Sequence, residues 1–203
     1  MIRLLSIIFL ILPSVCFSYV ETDFNFIYDK QIFGAERDNF QVSRTYNLNL
    51  AWYLTGKTAF EVGYGLGTIR TTENSSYEID GTGFEIYGHE NTVKNLYYSV
   101  GIRQAFSERN SFLRPMLSIG YAKQEITDQT SYKIRAIGAS EGATLRQAAE
   151  IMESDSVFAN LALTIRLSQY FSIKTSVQTV FPAFDFDKAR DDLKYMGGIM
   201  WIF

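Results

Sequence analysis

The chain has 203 residues, a formal net charge of -3, one cysteine and one histidine. That length suits a single domain or barrel, the charge offers no basic footprint for nucleic acid, and one cysteine excludes a disulfide framework. Hydrophobic residues make up 47% and aromatics 15% of the chain, so the average resembles a soluble protein while the aromatic load is the kind that lipid-facing and interfacial surfaces favour.

Residues 1–18 read as a secretory signal: Arg3 supplies the positive start, Leu4 to Leu12 the apolar core, and Cys16-Phe17-Ser18 the cleavage region. The apolar run stops at Pro13, short of the roughly 20 residues that a membrane helix requires. A lipoprotein reading through Cys16 is disfavoured by Val15, where a small residue would be expected. The mature chain is then residues 19–203, free of thiols, as suits an oxidising periplasm.

Eight segments of period-two alternation follow. The first sets Val20, Phe24, Phe26 and Tyr28 against Glu21, Asp23 and Asn25. The second, 44–54, sets Tyr46, Leu48, Leu50, Trp52 and Leu54 against Thr45, Asn47, Asn49 and Ala51. The third, 58–70, opposes Phe60, Val62, Tyr64 and Leu66 to Glu61, Gly63, Gly65 and Gly67, and the fourth, 93–105, opposes Leu96, Tyr98, Val100 and Ile102 to Asn95, Ser99, Gly101 and Arg103. The fifth (112–123), sixth (156–167) and seventh (171–181) repeat the pattern with Arg114, Arg166 and Lys174 on their polar faces. The eighth, 193–203, carries Leu193, Tyr195, Ile199, Trp201 and Phe203 on one face.

A soluble β-sandwich or lipocalin-like barrel alternates in the same way. Two features favour a membrane barrel. Connections alternate between tight turns, at 55–57, 107–110 and 168–170, and long segments, at 29–43, 71–92, 124–155 and 182–192, as periplasmic turns and external loops do. Aromatics also fall in two girdles: Trp52, Phe60, Phe112, Phe171, Trp201 and Phe203 at the periplasmic end, and Tyr28, Tyr46, Tyr121, Phe181 and Tyr195 at the external end, with aliphatic residues between. The expected fold is all-β: an eight-stranded antiparallel up-and-down transmembrane β-barrel. Pro115 runs against it, and predicts a bulge or a late start to the fifth strand.

The last strand, with Tyr195, Gly197, Ile199, Trp201 and Phe203 at alternate positions, resembles the C-terminal assembly signal of outer-membrane proteins, and from end to end the mature chain resembles the small barrels of the OmpA transmembrane domain, OmpX and OmpW type. The resemblance implies location in the bacterial outer membrane, delivery to the barrel-assembly machinery through Tyr195, Trp201 and Phe203, and contact with outer-membrane lipid and lipopolysaccharide. It departs from OmpA in carrying no peptidoglycan-binding segment after Phe203.

Charge gathers on the polar face of the periplasmic half. Glu21, Asp23, Glu61, Arg103, Arg114, Arg166 and Lys174 are expected to form an ion-pair network that plugs the lumen; the rival is a selective constriction. Gly63, Gly65, Gly67, Gly101, Gly120 and Gly198 share that face and are read as room for Tyr97, Phe158, Met196 or Met200 to cross it, or as the wall of a small upper cavity. His89, beside Glu90 and near Ser75 and Ser76, is the one candidate for lipid-A acylase or deacylase chemistry, and no motif of those enzymes surrounds it. Leu145, Ala148, Ala149 and Met152 recur at helical spacing and predict a short helix over 143–153. Glu73, Asp80, Asp185, Asp187, Asp191 and Asp192 form a candidate acidic rim, solvated or bridged to lipopolysaccharide by divalent cations, with no EF-hand spacing. No catalytic, cofactor or metal residues are assigned. The leading functional expectation is a structural or adhesion-like surface barrel, with any external ligand or receptor at 71–92 and 124–155; the alternatives are a narrow channel or carrier for small solutes, and a lipid-A-modifying enzyme.

Overall fold

The computed structural model describes residues 19–34, 37–182 and 193–203. The expected signal peptide and the carboxylates Asp185, Asp187, Asp191 and Asp192 lie outside those residues. Within them the alternating segments become ten β-strands: β1 (Val20–Phe33), β2 (Asn39–Tyr53), β3 (Thr58–Glu73), β4 (Tyr77–Ile79), β5 (Phe84–Ala105), β6 (Leu113–Ala136), β7 (Ala143–Arg146), β8 (Glu150–Arg166), β9 (Phe171–Pro182) and β10 (Lys194–Ile202). All pairings are antiparallel; β4 and β7 are short additions beside β5 and β6, and the other eight pair with their neighbours in chain order, the first strand β1 meeting the last, β10, to close a ring. The turn end carries the three tight connections and both Tyr19 and Phe203; the loop end carries the long ones.

The closed ring answers a backbone requirement, because an open sheet edge has no partner for its N–H and C=O groups in hydrocarbon. Side chains then sort by parity. Leu48, Leu50, Val62, Val100, Ile102, Ile119, Leu161 and Ile199 are exposed on the outside, whereas Glu21, Asp23, Glu61, Arg103, Arg114 and Lys174 are buried inside. This is the reverse of a soluble barrel, and so contiguous an apolar exterior marks a surface made for lipid. At the turn end Trp52, Phe60, Phe112, Trp201 and Phe203 are exposed on it, and at the loop end Tyr28, Tyr46, Tyr121 and Tyr195. Phe171 is half-buried, edge-on to Trp201 with ring centroids 6.0 Å apart.

Phe181 departs from the expected girdle: it is only 5% exposed. Its register is unbroken, opposite Val157 and next to the lumen-facing Val180, so parity gives the direction of the side chain but not its exposure. Pro115 causes no bulge. It pairs in register with Leu163 on the β8 side, while the ladder with β5 begins at Met116, so the missing N–H falls where β5 has already ended; the Pro115 carbonyl accepts from Phe106 N at 3.0 Å.

Among the described residues the long connections 29–43, 71–92 and 124–155 are largely strand. β5 runs for 22 residues and β6 for 24, paired from Phe84–Ala136 down to Ala105–Met116, so much of 71–92 and 124–155 is a β arm standing beyond the apolar band. Hydrophobic alternation fades there because both faces are wet, while Thr71, Thr72, Thr92, Thr127 and Thr130 keep strand propensity and the neighbouring strand supplies hydrogen bonds. The helix expected over 143–153 is absent: Ala143–Arg146 pairs with Ser131–Ile134 and Glu150–Met152 with Ile126–Asp128. An isolated helix of that length is marginal in water, whereas β6 offers a ready row of backbone partners.

Two kinds of lumen glycine are distinguishable. A Cβ on Gly65 would land in the Tyr97 ring, a side-chain obstacle, whereas one on Gly120 would meet the Val100 carbonyl and the Gly101 backbone. Gly65→Ala is expected to lower stability by about 1–3 kcal/mol and to be relieved in a Tyr97→Ala background, whereas Gly120→Ala should remain destabilised in a Phe158→Ala background. Urea unfolding of the refolded barrel, followed by heat-modifiable gel mobility, measures both.

Candidate functional site: the barrel lumen

Packing at the turn end starts from inward-facing aromatic and small residues. The Tyr19 and Tyr53 rings stack with centroids 4.3 Å apart and an interplanar angle of 7°. Ala51, Ala59, Ala105, Met116, Ala162, Met200 and Ile202 complete a buried apolar cluster with them. The guanidinium of Arg109 lies 4.5 Å from the Tyr19 ring centroid and that of Arg114 lies 4.9 Å from that of Tyr53, favourable cation–π placements. The alanines leave width for long side chains from neighbouring strands to reach across.

Those side chains build the ion cluster. Arg103 donates through Nε to Glu61 Oε2 at 2.7 Å and through Nη2 to Asp23 Oδ2 at 2.5 Å, and its Nη1 faces Glu21 Oε2 at 3.6 Å. Arg114 donates through Nη1 to Glu21 Oε1 and through Nη2 to the Tyr19 hydroxyl at 2.7 Å. Lys174 donates to Asp23 Oδ1 at 2.8 Å, an oxygen that also accepts from Asn25 at 2.7 Å and Asn49 at 2.8 Å. Ser118 donates to Glu61 Oε2 at 2.7 Å. Three carboxylates meet three cations, so the cluster is neutral, and every member is at most 2% exposed. Burial of such charges is tolerable only with this degree of pairing and hydrogen bonding.

Six of the seven residues expected in the network are therefore brought together. Arg166 is not. It ends β8 and pairs with Ser172, one inward step nearer the mouth than Thr164, and its guanidinium donates to the Ser168 carbonyl and to Asn110 Oδ1, both at 2.9 Å. There it ties two short turns together. The aromatic floor of Tyr19 and Tyr53 was missed in the sequence, although inward parity, continued past Ala51 to Tyr53 and past Arg114 to Met116, pointed to it.

Above the cluster Asn47 donates to Gln178 Oε1 at 3.0 Å, and Gln178 donates to the Tyr97 hydroxyl at 3.3 Å. Phe158 crosses the lumen against Gly101 and Gly120. Tyr97, Phe158, Met196 and Met200 are all buried, as the glycine pattern anticipates. Beyond Tyr97 lies a cavity of about 600 Å³ walled by Ile27, Thr45, Ile69, Val93, Ile126 and Val180, among others.

His89 sits within β5, its Nδ1 3.6 Å from Glu73 and its ring stacked on Tyr132 at 5.0 Å. In the same arm Glu85 accepts from Ser76 at 2.8 Å and from Arg135 at 2.7 Å, bonds that hold its carboxyl below the usual range. These cross-strand ties stiffen the arm.

The closed ring, the lipid-facing exterior and the polar filled lumen define a small eight-stranded barrel of the outer-membrane type. The fold is shared with the N-terminal β-barrel domain of OprF from Pseudomonas aeruginosa, at 16% identity and a TM-score of 0.50 over 92% of this chain and 97% of that one. It is shared too with the outer membrane protein OprG from Pseudomonas aeruginosa, at 11% identity and a TM-score of 0.53 over 92% and 95%. No protein-family model and no curated protein matches the sequence.

Removing one cation from the cluster leaves its carboxylates buried and unpaired, so Arg103→Met is expected to cost about 3–5 kcal/mol. Arg166→Met, at a solvated turn, should stay within about 0.5 kcal/mol of the parent. Equilibrium unfolding in urea, with lipid or detergent held constant, compares the two.

Proposed function

We propose that the protein is an outer-membrane barrel closed to solutes, which serves a structural or surface-interaction role by holding its β arm rigidly above the membrane. The observation that carries the reading is the lumen. A neutral, interlocked ion cluster backed by stacked tyrosines fills the turn end, and a path for hydrated ions would have to break several buried ion pairs at once. The arm formed by the outer parts of β3, β5, β6 and β8 with β4 and β7 is the natural place for an external ligand or receptor, because loops and edges carried on rigid scaffolds present side chains at little entropic cost. Tyr195, Trp201 and Phe203 stand exposed on the outer face of the final strand, which suits recognition by the barrel-assembly machinery.

A carrier for small solutes is the second reading, favoured by the cavity above Tyr97. Enzyme activity is not part of the proposal: His89 is engaged by Glu73 and Tyr132, a strand-stiffening arrangement.

In planar bilayers the purified protein is expected to give no steady unit conductance, and a well-defined open level would favour the channel. Deletion of the arm tips should abolish binding to host cells while leaving heat-modifiable mobility intact, and lipid-A mass spectra should be the same for wild type and His89→Ala.

A further inference from the structure

The wall of the barrel is not closed over its whole height. β1 and β10 pair from Glu21–Ile202 to Phe26–Gly197 and no further, although β1 continues against β2 as far as Phe33–Asn39 and β10 continues against β9 as far as Lys194–Gln178. The same register carried upward would set Ile27 against Met196, Tyr28 against Tyr195 and Asp29 against Lys194. None of these rungs is formed. Tyr195 is accordingly 72% exposed, against 49% for Trp201 on the paired part of the same strand face. A seam stands open at the level of the external tyrosines, and the backbone groups along it lack the partners that closure gives the rest of the wall.

The cavity above Tyr97 reaches this seam. Most of its lining points inward, as Ile69, Val93, Ile126 and Val180 do, but at β1 and β10 it also takes in Tyr28, Leu193 and Tyr195, which stand exposed on the outer face. Among the described residues, outer-face side chains enter the lining at no other strand. A pocket that touches both faces of a one-layer wall passes through it, so the cavity opens sideways toward the outer leaflet. Below Tyr97 lies the buried ion cluster, which makes the pocket blind. Its volume of about 600 Å³ falls in the range of roughly 300–1,000 Å³ that holds one small ligand, and suits a single chain rather than a whole membrane lipid.

Two charged residues line the pocket, Asp29 and Lys194. Asp29 is exposed and accepts from Gln31 at 3.0 Å. Lys194 is half-buried and has no ion-pair partner among the described residues. Arg44 adds a second cation at the lip, over the Tyr28 ring at 5.8 Å. The charge left unmet at the seam is therefore positive.

We propose that the pocket takes up a single-chain carboxylic amphiphile from the outer leaflet through the seam between β1 and β10, with the chain along Ile27, Ile69, Val93 and Ile126 and the carboxylate on Lys194. The inference rests on the outer-membrane placement, and on the plugged lumen only for the pocket being blind. A chain gains little by leaving lipid for an equally apolar wall, so selectivity lies in the head. There a half-buried ammonium gains a charge-assisted hydrogen bond, and the carboxylate offers acceptors to the unpaired N–H groups of the seam.

The test equilibrates the folded protein, in phosphatidylcholine nanodiscs, with a long-chain fatty acid carrying a photoreactive diazirine at its chain end, and maps the labelled residues by mass spectrometry after irradiation. Label is expected on the inward residues Ile69, Val93 and Ile126, roughly ten-fold above that given by the matching alcohol. Lys194→Met should lose this advantage and Asp29→Asn should raise it. Oxidation of a Tyr28→Cys/Tyr195→Cys pair should abolish the inward label and reduction should restore it. Ile69→Trp, which fills the pocket, should abolish it without any disulfide, with heat-modifiable mobility confirming that each variant is folded. Label confined to outward residues such as Leu50 and Val62 overturns the proposal. So does equal labelling by the alcohol, or an inward label that survives the oxidised pair or Ile69→Trp. Label reaching Glu61 or Ser118 overturns the blind pocket together with the plugged-lumen reading, which conductance tests independently.

Discussion

In hydrocarbon a peptide group finds its hydrogen-bond partner within the protein or goes without. For this chain that constraint is met by the pairing of β1 with β10, the contact between first and last strands that converts an open sheet into a ring. Much else is a consequence of closure. Once the ring exists, each strand has one face toward lipid and one toward a lumen too narrow to stay empty, and the sequence must supply apolar residues to the first and mutually satisfied residues to the second.

The lumen shows how demanding the second task is. Charges placed there cannot be left singly, so Glu21, Asp23 and Glu61 are matched with Arg103, Arg114 and Lys174, and the surrounding asparagines and Ser118 take up further lone pairs. Small residues make the matching geometrically possible. Alanines beside the cluster and glycines around Tyr97 and Phe158 let a few long side chains span the interior. The outer half of the lumen differs: above Tyr97 a cavity is left whose wall mixes apolar residues such as Ile27, Ile69 and Val93 with polar ones such as Asp29, Asn95 and Lys194.

Beyond the membrane the requirement relaxes. β5 and β6 continue as a paired arm after the hydrophobic pattern has ended, held by backbone bonds and by ties such as Arg135 to Glu85 and Asn91 to Asp128. Nothing in water obliges a sheet to have a closed edge, and β4 and β7 attach there as short additional strands.

The strand count, the inward and outward faces, the tight turns and six of the network residues were legible in the sequence, because a period of two and a two-sided environment leave a pattern that survives without coordinates. Where one face ceased to be lipid, that pattern lost its cause: the arm strands read as loops and 143–153 read as a helix. Parity alone also placed Arg166 with the other cations, since it reports which way a side chain points and not how far along the barrel it stands. Which carboxylate each cation meets, the stacking of Tyr19 on Tyr53 and the register in which β1 meets β10 were decided only by the tertiary structure, for they join residues far apart in the chain through the shear and width of a ring, quantities that no local run of residues contains.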